Sequence, residues 1–308
     1  MPLNDNARGA LIMTAAMAGF TCNDAAMKLA FENVPVAQGI FARGVMSGVL
    51  ILLLAWRTGA LGYRPTRRGT VVIALRSACE LGSTITFLQA LAVMPLATAS
   101  SVLQFVPLAV TMVAALLFRE PVGWRRWSAI AVGFVGVMVM IRPGGEAFDT
   151  NILYPLGTVA FITVRDMLTR SLDPDTPSVF ASVVTIVAVT VFAGALMPAQ
   201  GTVGLDQATA IVILVASTII LVGYILSITA MRVGDISAVS PFRYTGLLWA
   251  MLLGYFVFDE VPDGPTFIGA GLVVAAGLYT LWRETLVGRG HPAASASTRP
   301  FSASDGGA

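Results

Sequence analysis

Charge is scarce in this 308-residue chain. Asp, Glu, Lys and Arg make up 12% of it, against 56% hydrophobic residues. A soluble domain carries roughly 25% charged residues. Half that share, with a mean hydropathy of +0.80, excludes a water-soluble globule and implies several membrane spans. Histidine is almost missing: His291 stands alone in a polar C-terminal segment, so no histidine-built metal site lies in the apolar segments. The two cysteines, Cys22 and Cys79, sit in apolar segments and give no disulfide framework. The net charge of +2 offers no broad attraction for nucleic acid. There is no GxxxxGK[ST] loop to bind nucleotide, no HExxH, and no paired aspartates at a spacing that suits catalysis. An ATP-driven pump and an intramembrane enzyme are thereby disfavoured, and no cofactor or metal is expected.

What the chain does have is apolar runs. A helix needs ~20 residues to cross a bilayer. Runs of that order predict ten helices near 9–29, 35–56, 69–91, 96–118, 125–141, 151–170, 177–197, 208–230, 236–258 and 265–283. The connections VMPLA (93–97) and GDIS (234–237) are so short that their flanking helices must be antiparallel neighbours. The first run follows the polar NDNARG and carries Asn23 and Asp24, with no small-residue cleavage site leading into a soluble domain. It is therefore read as a span and not a cleaved signal. Residues 284–308, rich in Ser, Gly, Ala and Pro, are expected to form a disordered tail.

Basic residues set the orientation. With the N-terminus inside, 13 Lys and Arg fall on the inner side, 2 (Lys28 and Arg142) on the outer, and 4 (Arg43, Arg76, Arg165 and Arg243) within spans, accounting for all 19. The positive-inside rule then puts both termini in the cytoplasm. A shift of 140 residues aligns the two halves. ALAVMPLATASS (90–101) falls on AMRVGDISAVSP (230–241), and Phe118-Arg119-Glu120 falls on Phe258-Asp259-Glu260. Asp24 and Lys28 match Asp166 and Arg170 at a shift of 142. Each half holds five helices, an odd number, so the second enters the membrane inverted. The loops agree: FREPVGWRR (118–126) is basic and placed inside, whereas FDEVPDG (258–264) is acidic and placed outside. Membrane helices look alike by composition, but a shared loop motif with reversed charge is independent of hydropathy. The fold expected is an all-α integral membrane protein of ten transmembrane helices in two inverted five-helix repeats, 9–142 and 149–283, flanked by a cytoplasmic N-terminus (1–8) and the tail. Such repeats suit a carrier that holds its substrate near the midplane.

Several residue groups carry a resemblance: Arg43 in FARG, Arg76 followed by FLQALAVMPLATAS (87–100), Pro107, FREP (118–121), GFVGVMVMIRPG (133–144), SPFRY (240–244) and FDE (258–260). Together they make the chain, over about 9–283, resemble the drug/metabolite transporter superfamily and its ten-helix EamA-type members. FTCNDAAMK (20–28), NILYPLGTVAFITVRDM (151–167) and SPFRYTGL (240–247) are similar to a subgroup of riboflavin importers and S-adenosylmethionine transporters. The resemblance implies a multi-pass carrier of the bacterial inner membrane that moves a vitamin- or cofactor-sized metabolite. Riboflavin uptake is the first expectation. S-adenosylmethionine transport and export of amino acids or other metabolites are the alternatives, and a channel is a further one.

Charges inside a bilayer cost about 2.5–3.5 kcal/mol each on insertion scales, so those present need a partner or a polar cavity. Arg76 and Glu80 are spaced i, i+4 and share a helix face. They form either a local packing pair or part of a substrate cavity. Asp24, with Asn23 beside it, lies late in helix 1, and Arg43 lies a third of the way along helix 2. Lys28 could snorkel outward from Asp24, and Arg165 inward from Asp166. Arg243 and Tyr244 follow Pro241, where a broken helix would free backbone groups for a ligand. Gln104 and Phe105 precede Pro107, and Gln104 aligns with Tyr244 at the 140-residue shift. Phe20, Phe87, Phe105, Tyr224, Tyr244 and Trp249 could stack a flat ring or simply pack. Ser83 and Ser240 could add hydrogen bonds. The candidate substrate-binding set is Arg243, Tyr244, Gln104, Phe105, Arg76, Glu80, Asn23, Asp24, Arg43 and Trp249. Gly133, Gly136, Gly269, Gly271 and Gly277 in helices 5 and 10 are read as scaffold or as a homodimer face. The expected partners are a small-molecule substrate and the lipid bilayer.

Overall fold

A computed structural model describes residues 5–117, 123–142, 149–173, 175–233 and 239–288, and these are helical with short connections. The helices are α1 (Asp5–Phe31), α2 (Val36–Arg57), α3 (Arg67–Val93), α4 (Leu96–Leu103), α5 (Val106–Leu117), α6 (Trp124–Ile141), α7 (Leu153–Arg170), α8 (Ser178–Gln200), α9 (Gln207–Val233), α10 (Thr245–Phe258) and α11 (Gly264–Gly288). Eight segments are long and apolar enough to cross a membrane, with α4 and α5 together counting as one of them. The two remaining helices are α1, which carries Asp5, Arg8, Asp24 and Lys28, and α10, only 14 residues long behind a 3-10 turn at Ser240–Tyr244.

The helix limits follow local chemistry. Pro35, Pro95 and Pro177 stand directly before α2, α4 and α8, where a fixed φ costs no hydrogen bond. The Thr66 hydroxyl accepts from Gly69 N at 2.9 Å to start α3, and Asp263 accepts from Thr266 N at 3.1 Å to start α11. The expected single helix over 96–118 is two. Pro107 has no N–H for the carbonyl of Leu103, so the chain tightens through Gln104 and Phe105 before α5 begins. The expected helix 236–258 is likewise interrupted, its first described turn being 3-10 around Pro241. The C-terminal helix outlasts expectation by one turn, since Glu284–Gly288 continue α11 and do not join the tail. The rest of the tail, the GDIS connection and FREPV (118–122) lie outside the described residues.

The main packing crosses between the halves of the chain. α1 lies on α9, α2 on α8, α3 on α7, α4 on α10 and α6 on α11. One apolar core, including Met27, Leu88, Leu91, Val102, Leu108 and Val273, runs through these seams. Of the five glycines read as scaffold or dimer face, Gly133, Gly136, Gly269 and Gly277 meet neighbours within the chain, while Gly271 meets nothing. A Cβ on Gly136 would stand 2.7 Å from Gly269 O, and one on Gly269 would stand 2.4 Å from Gly136 O, so only glycine lets α6 and α11 approach this closely. Gly133 makes room for Leu108 and Phe105, and Gly277 for the Tyr244 ring. Gly136→Val is expected to destabilise the protein by about 1–3 kcal/mol, because the obstructing atoms are backbone and cannot repack. A wild-type thermal midpoint of the purified variant would contradict this.

Candidate functional site

The interior charges find partners far along the chain. Glu80, at the middle of α3, does not pair with Arg76 one turn away. Its Oε2 accepts from Arg165 Nη1 of α7 at 2.9 Å. Arg165 also grips Asp166 Oδ1 through Nε and Nη2, at 2.9 and 2.8 Å. Arg76 donates instead to Thr169 Oγ1 of α7 and Thr185 Oγ1 of α8, each at 3.1 Å. Ser77 shares Thr185 at 3.0 Å. The local i, i+4 pair is therefore replaced by a lattice joining α3, α7 and α8. Arg165 is drawn inward to Glu80 and does not reach for the membrane surface.

Lys28 does not serve Asp24 either. Its Nζ meets Glu260 Oε1 at 2.8 Å and Met94 O at 2.5 Å, and lies over the Phe258 ring. The other oxygen of Glu260 accepts from Leu96 N at 2.9 Å, placing a carboxylate on the positive end of α4. Asp24 is left with one described partner, Asn23 Nδ2 at 2.9 Å, while Asn23 Oδ1 is buried and unpartnered. Asp24 lies seven residues before the end of α1 (31 − 24), and Arg43 seven residues into α2 (43 − 36). At 1.5 Å per residue both are about 10 Å from the connection between them, hence at similar depth. They form no described ion pair or hydrogen bond with each other. Both are half-buried.

The remaining candidates separate by environment. Gln104 Nε2 approaches Tyr244 O at 3.5 Å, so the interruptions of the two broken spans meet. Tyr244 is buried, with its hydroxyl facing Gly277 and unpartnered. Phe105 is buried against Gly133. Trp249 Nε1 donates to Thr14 O at 3.2 Å and packs against Met13 and Met17 of α1. Arg243 is exposed on the 3-10 turn, and its side chain makes no described ion pair or hydrogen bond. The structure thus ties Glu80 and Arg76 to α7 and α8 and leaves Asp24 and Arg43 outside that set of contacts. Phe105 and Trp249 go to packing, and Arg243 stays outside the paired groups. Sequence reasoning left out of the set Arg165, Thr169 and Thr185. The signal available for Arg165 was its position, with Asp166, inside an otherwise apolar helix.

Cross-packed helices around a polar, charged interior define a multi-pass membrane protein. Residues 7–142, the first five spans, match the EamA-like transporter family. The chain is a multi-pass membrane protein whose residues 7–142 are similar to small-molecule transporters of EamA type. The chain is similar to an S-adenosylmethionine uptake transporter of Rickettsia prowazekii, 24% identical over 85% of this chain and 88% of that one. It is similar to a riboflavin transporter of Rhizobium johnstonii, 27% identical over 84% of each. It also resembles a pseudopaline exporter of Pseudomonas aeruginosa, 23% identical over 87% of this chain and 94% of that one. A crystal structure of a protein 17% identical in sequence superposes with a TM-score of 0.63 over 91% of this chain and 99% of its own, a likeness of fold.

Because Glu80 is held by Arg165, exchanging the charges by Arg76→Glu with Glu80→Arg would set a cation against Arg165. The exchanged protein is expected to lose about 3 kcal/mol or more of stability. Equal yield and thermal midpoint of exchanged and wild-type protein would refute the cross-helix assignment.

Proposed function

We propose that the protein is a secondary carrier with both termini in the cytoplasm, that two inverted five-span halves rock to give alternating access, and that it takes up a zwitterionic adenosyl metabolite of the S-adenosylmethionine kind. The observation that carries the cargo is the Asp24–Arg43 arrangement. Opposite charges at similar depth on consecutive helices, with no described ion pair between them, suit a head group bearing both an ammonium and a carboxylate. Riboflavin, the first expectation from sequence, is uncharged at neutral pH and offers these groups no counter-charge. Names among the relatives lean the same way. Besides the Rickettsia prowazekii protein, a second S-adenosylmethionine uptake transporter, from Rickettsia bellii, is 26% identical over 63% of this chain.

The helix pairings support the inverted repeat. Exchanging span n with span n + 5 maps α1–α9 onto α7–α3 and returns α2–α8, the broken spans 4 and 9, and α6–α11 to themselves. The interruptions also match the 140-residue shift, since α4 gives way after Gln104 and Phe105 where the 3-10 turn gives way to α10 after Tyr244. The count of 13 inner to 2 outer basic residues supports the orientation.

Cells lacking their own importers and expressing this protein should accumulate labelled S-adenosylmethionine saturably and labelled riboflavin no faster than control cells. Riboflavin uptake without S-adenosylmethionine uptake would overturn the cargo assignment. Asp24→Asn and Arg43→Gln are each expected to cut uptake about tenfold or more at unchanged membrane expression.

A further inference from the structure

Of the six aromatic residues able to stack a flat ring, the fold commits four to packing. Phe105, Tyr244 and Trp249 are fixed against α6, α11 and α1, and Phe87 packs on the main core. Phe20 packs against the cluster of Met13, Ala16 and Met17, and its ring also meets Tyr224 edge to face, with ring centroids 5.1 Å apart and planes at 74°. Tyr224 is 52% exposed. The helix that carries Tyr224, α9, packs on α1, which carries Phe20 and Asp24, and also meets α2, which carries Arg43.

Glycines seat the pair. A Cβ on Gly19 would stand 3.4 Å from Gly223 Cα, so the backbones of α1 and α9 nearly touch. A Cβ on Gly223 would stand 3.1 Å from the Phe20 ring, so Phe20 rests on bare backbone next to Tyr224. Phe20 and Asp24 are spaced i, i+4 and share one face of α1. The aromatic pair thus adjoins the Asp24–Arg43 charges.

We propose that Phe20 and Tyr224 form a ring-binding subsite that takes a planar heteroaromatic ring of the nucleobase kind, next to the Asp24–Arg43 pair that holds the head group. The assignment rests on the carrier reading above and deepens it, dividing one site into a ring end and a charged end. Stacking on an aromatic side chain is sequence-tolerant, because any nucleobase presents a π-face. The subsite alone therefore accepts a nucleoside, and the charged end selects among ring-bearing metabolites.

The test is equilibrium binding to the full-length protein in lipid nanodiscs with three probes: adenosine (ring, no head group), methionine (head group, no ring) and S-adenosylmethionine (both). Tyr224→Leu is expected to weaken adenosine and S-adenosylmethionine about tenfold or more and to change methionine by no more than about twofold. Phe20→Leu should do the same, while Tyr224→Phe, which keeps the ring, should bind adenosine as wild type does. Asp24→Asn should show the opposite selectivity, losing methionine and sparing adenosine. Failure of adenosine to bind the wild type, or loss of methionine together with adenosine in a well-folded Tyr224→Leu, overturns the subsite. Adenosine binding that Tyr224→Leu abolishes, in a protein that never binds methionine, upholds the subsite and overturns the zwitterion reading instead.

Discussion

Hydrocarbon cannot solvate a charge, and the arrangement of this protein follows from where each interior charge finds relief. The Glu80–Arg165 contact is the central instance. A carboxylate at the middle of α3 is met at 2.9 Å by a guanidinium from α7, which Asp166 steadies on its other edge. Neither partner can be withdrawn without leaving the other uncompensated in a poorly solvated place. The seam between α3 and α7 is thus fixed in register as well as in position. Lys28 and Glu260 act likewise at the far end of α1, where Glu260 also satisfies the first amide of α4. Asp24 and Arg43, against that background, are conspicuous for lacking such relief, and this is why the binding chemistry is assigned to them.

The broken spans belong to the same account. A helix in lipid must satisfy its own backbone, and an interruption is tolerated only where neighbouring protein covers it. Here the two interruptions cover each other, with Gln104 reaching the carbonyl of Tyr244. The prolines that cause the breaks do not align at the 140-residue shift, but the breaks themselves do. Pro107 lies just inside α5, whereas Pro241 opens the 3-10 turn ahead of α10.

Length, hydropathy and basic residues made the spans legible in the sequence, because these properties act on each helix singly. The breaks were legible too: Pro107 and Pro241 leave a missing donor that any reader of the chain can locate. The partners of the charges were not. Spacing invites the nearest match, Arg76 with Glu80 and Asp24 with Lys28, but the actual partner of Glu80 is 85 residues away. Leu96 N and Glu260 are separated by 164 residues. Such pairings depend on which helices become neighbours, and that is settled by packing between halves. The aromatic candidates were equally undecidable, since nothing local separates Phe105, which meets Gly133, from Phe20, which meets Tyr224.

The crossing pattern has a consequence for the integrity of the chain. Since α1 lies on α9, α2 on α8, α3 on α7 and α6 on α11, the five spans before residue 142 have little to hold them to one another. Each half stands to the other as a subunit stands to its partner in an obligate heterodimer. A polypeptide cut between 142 and 149 would yield two pieces whose largest packed seams lie on each other. The covalent link between the halves then serves chiefly as a tether that keeps the two complementary surfaces at high local concentration during insertion.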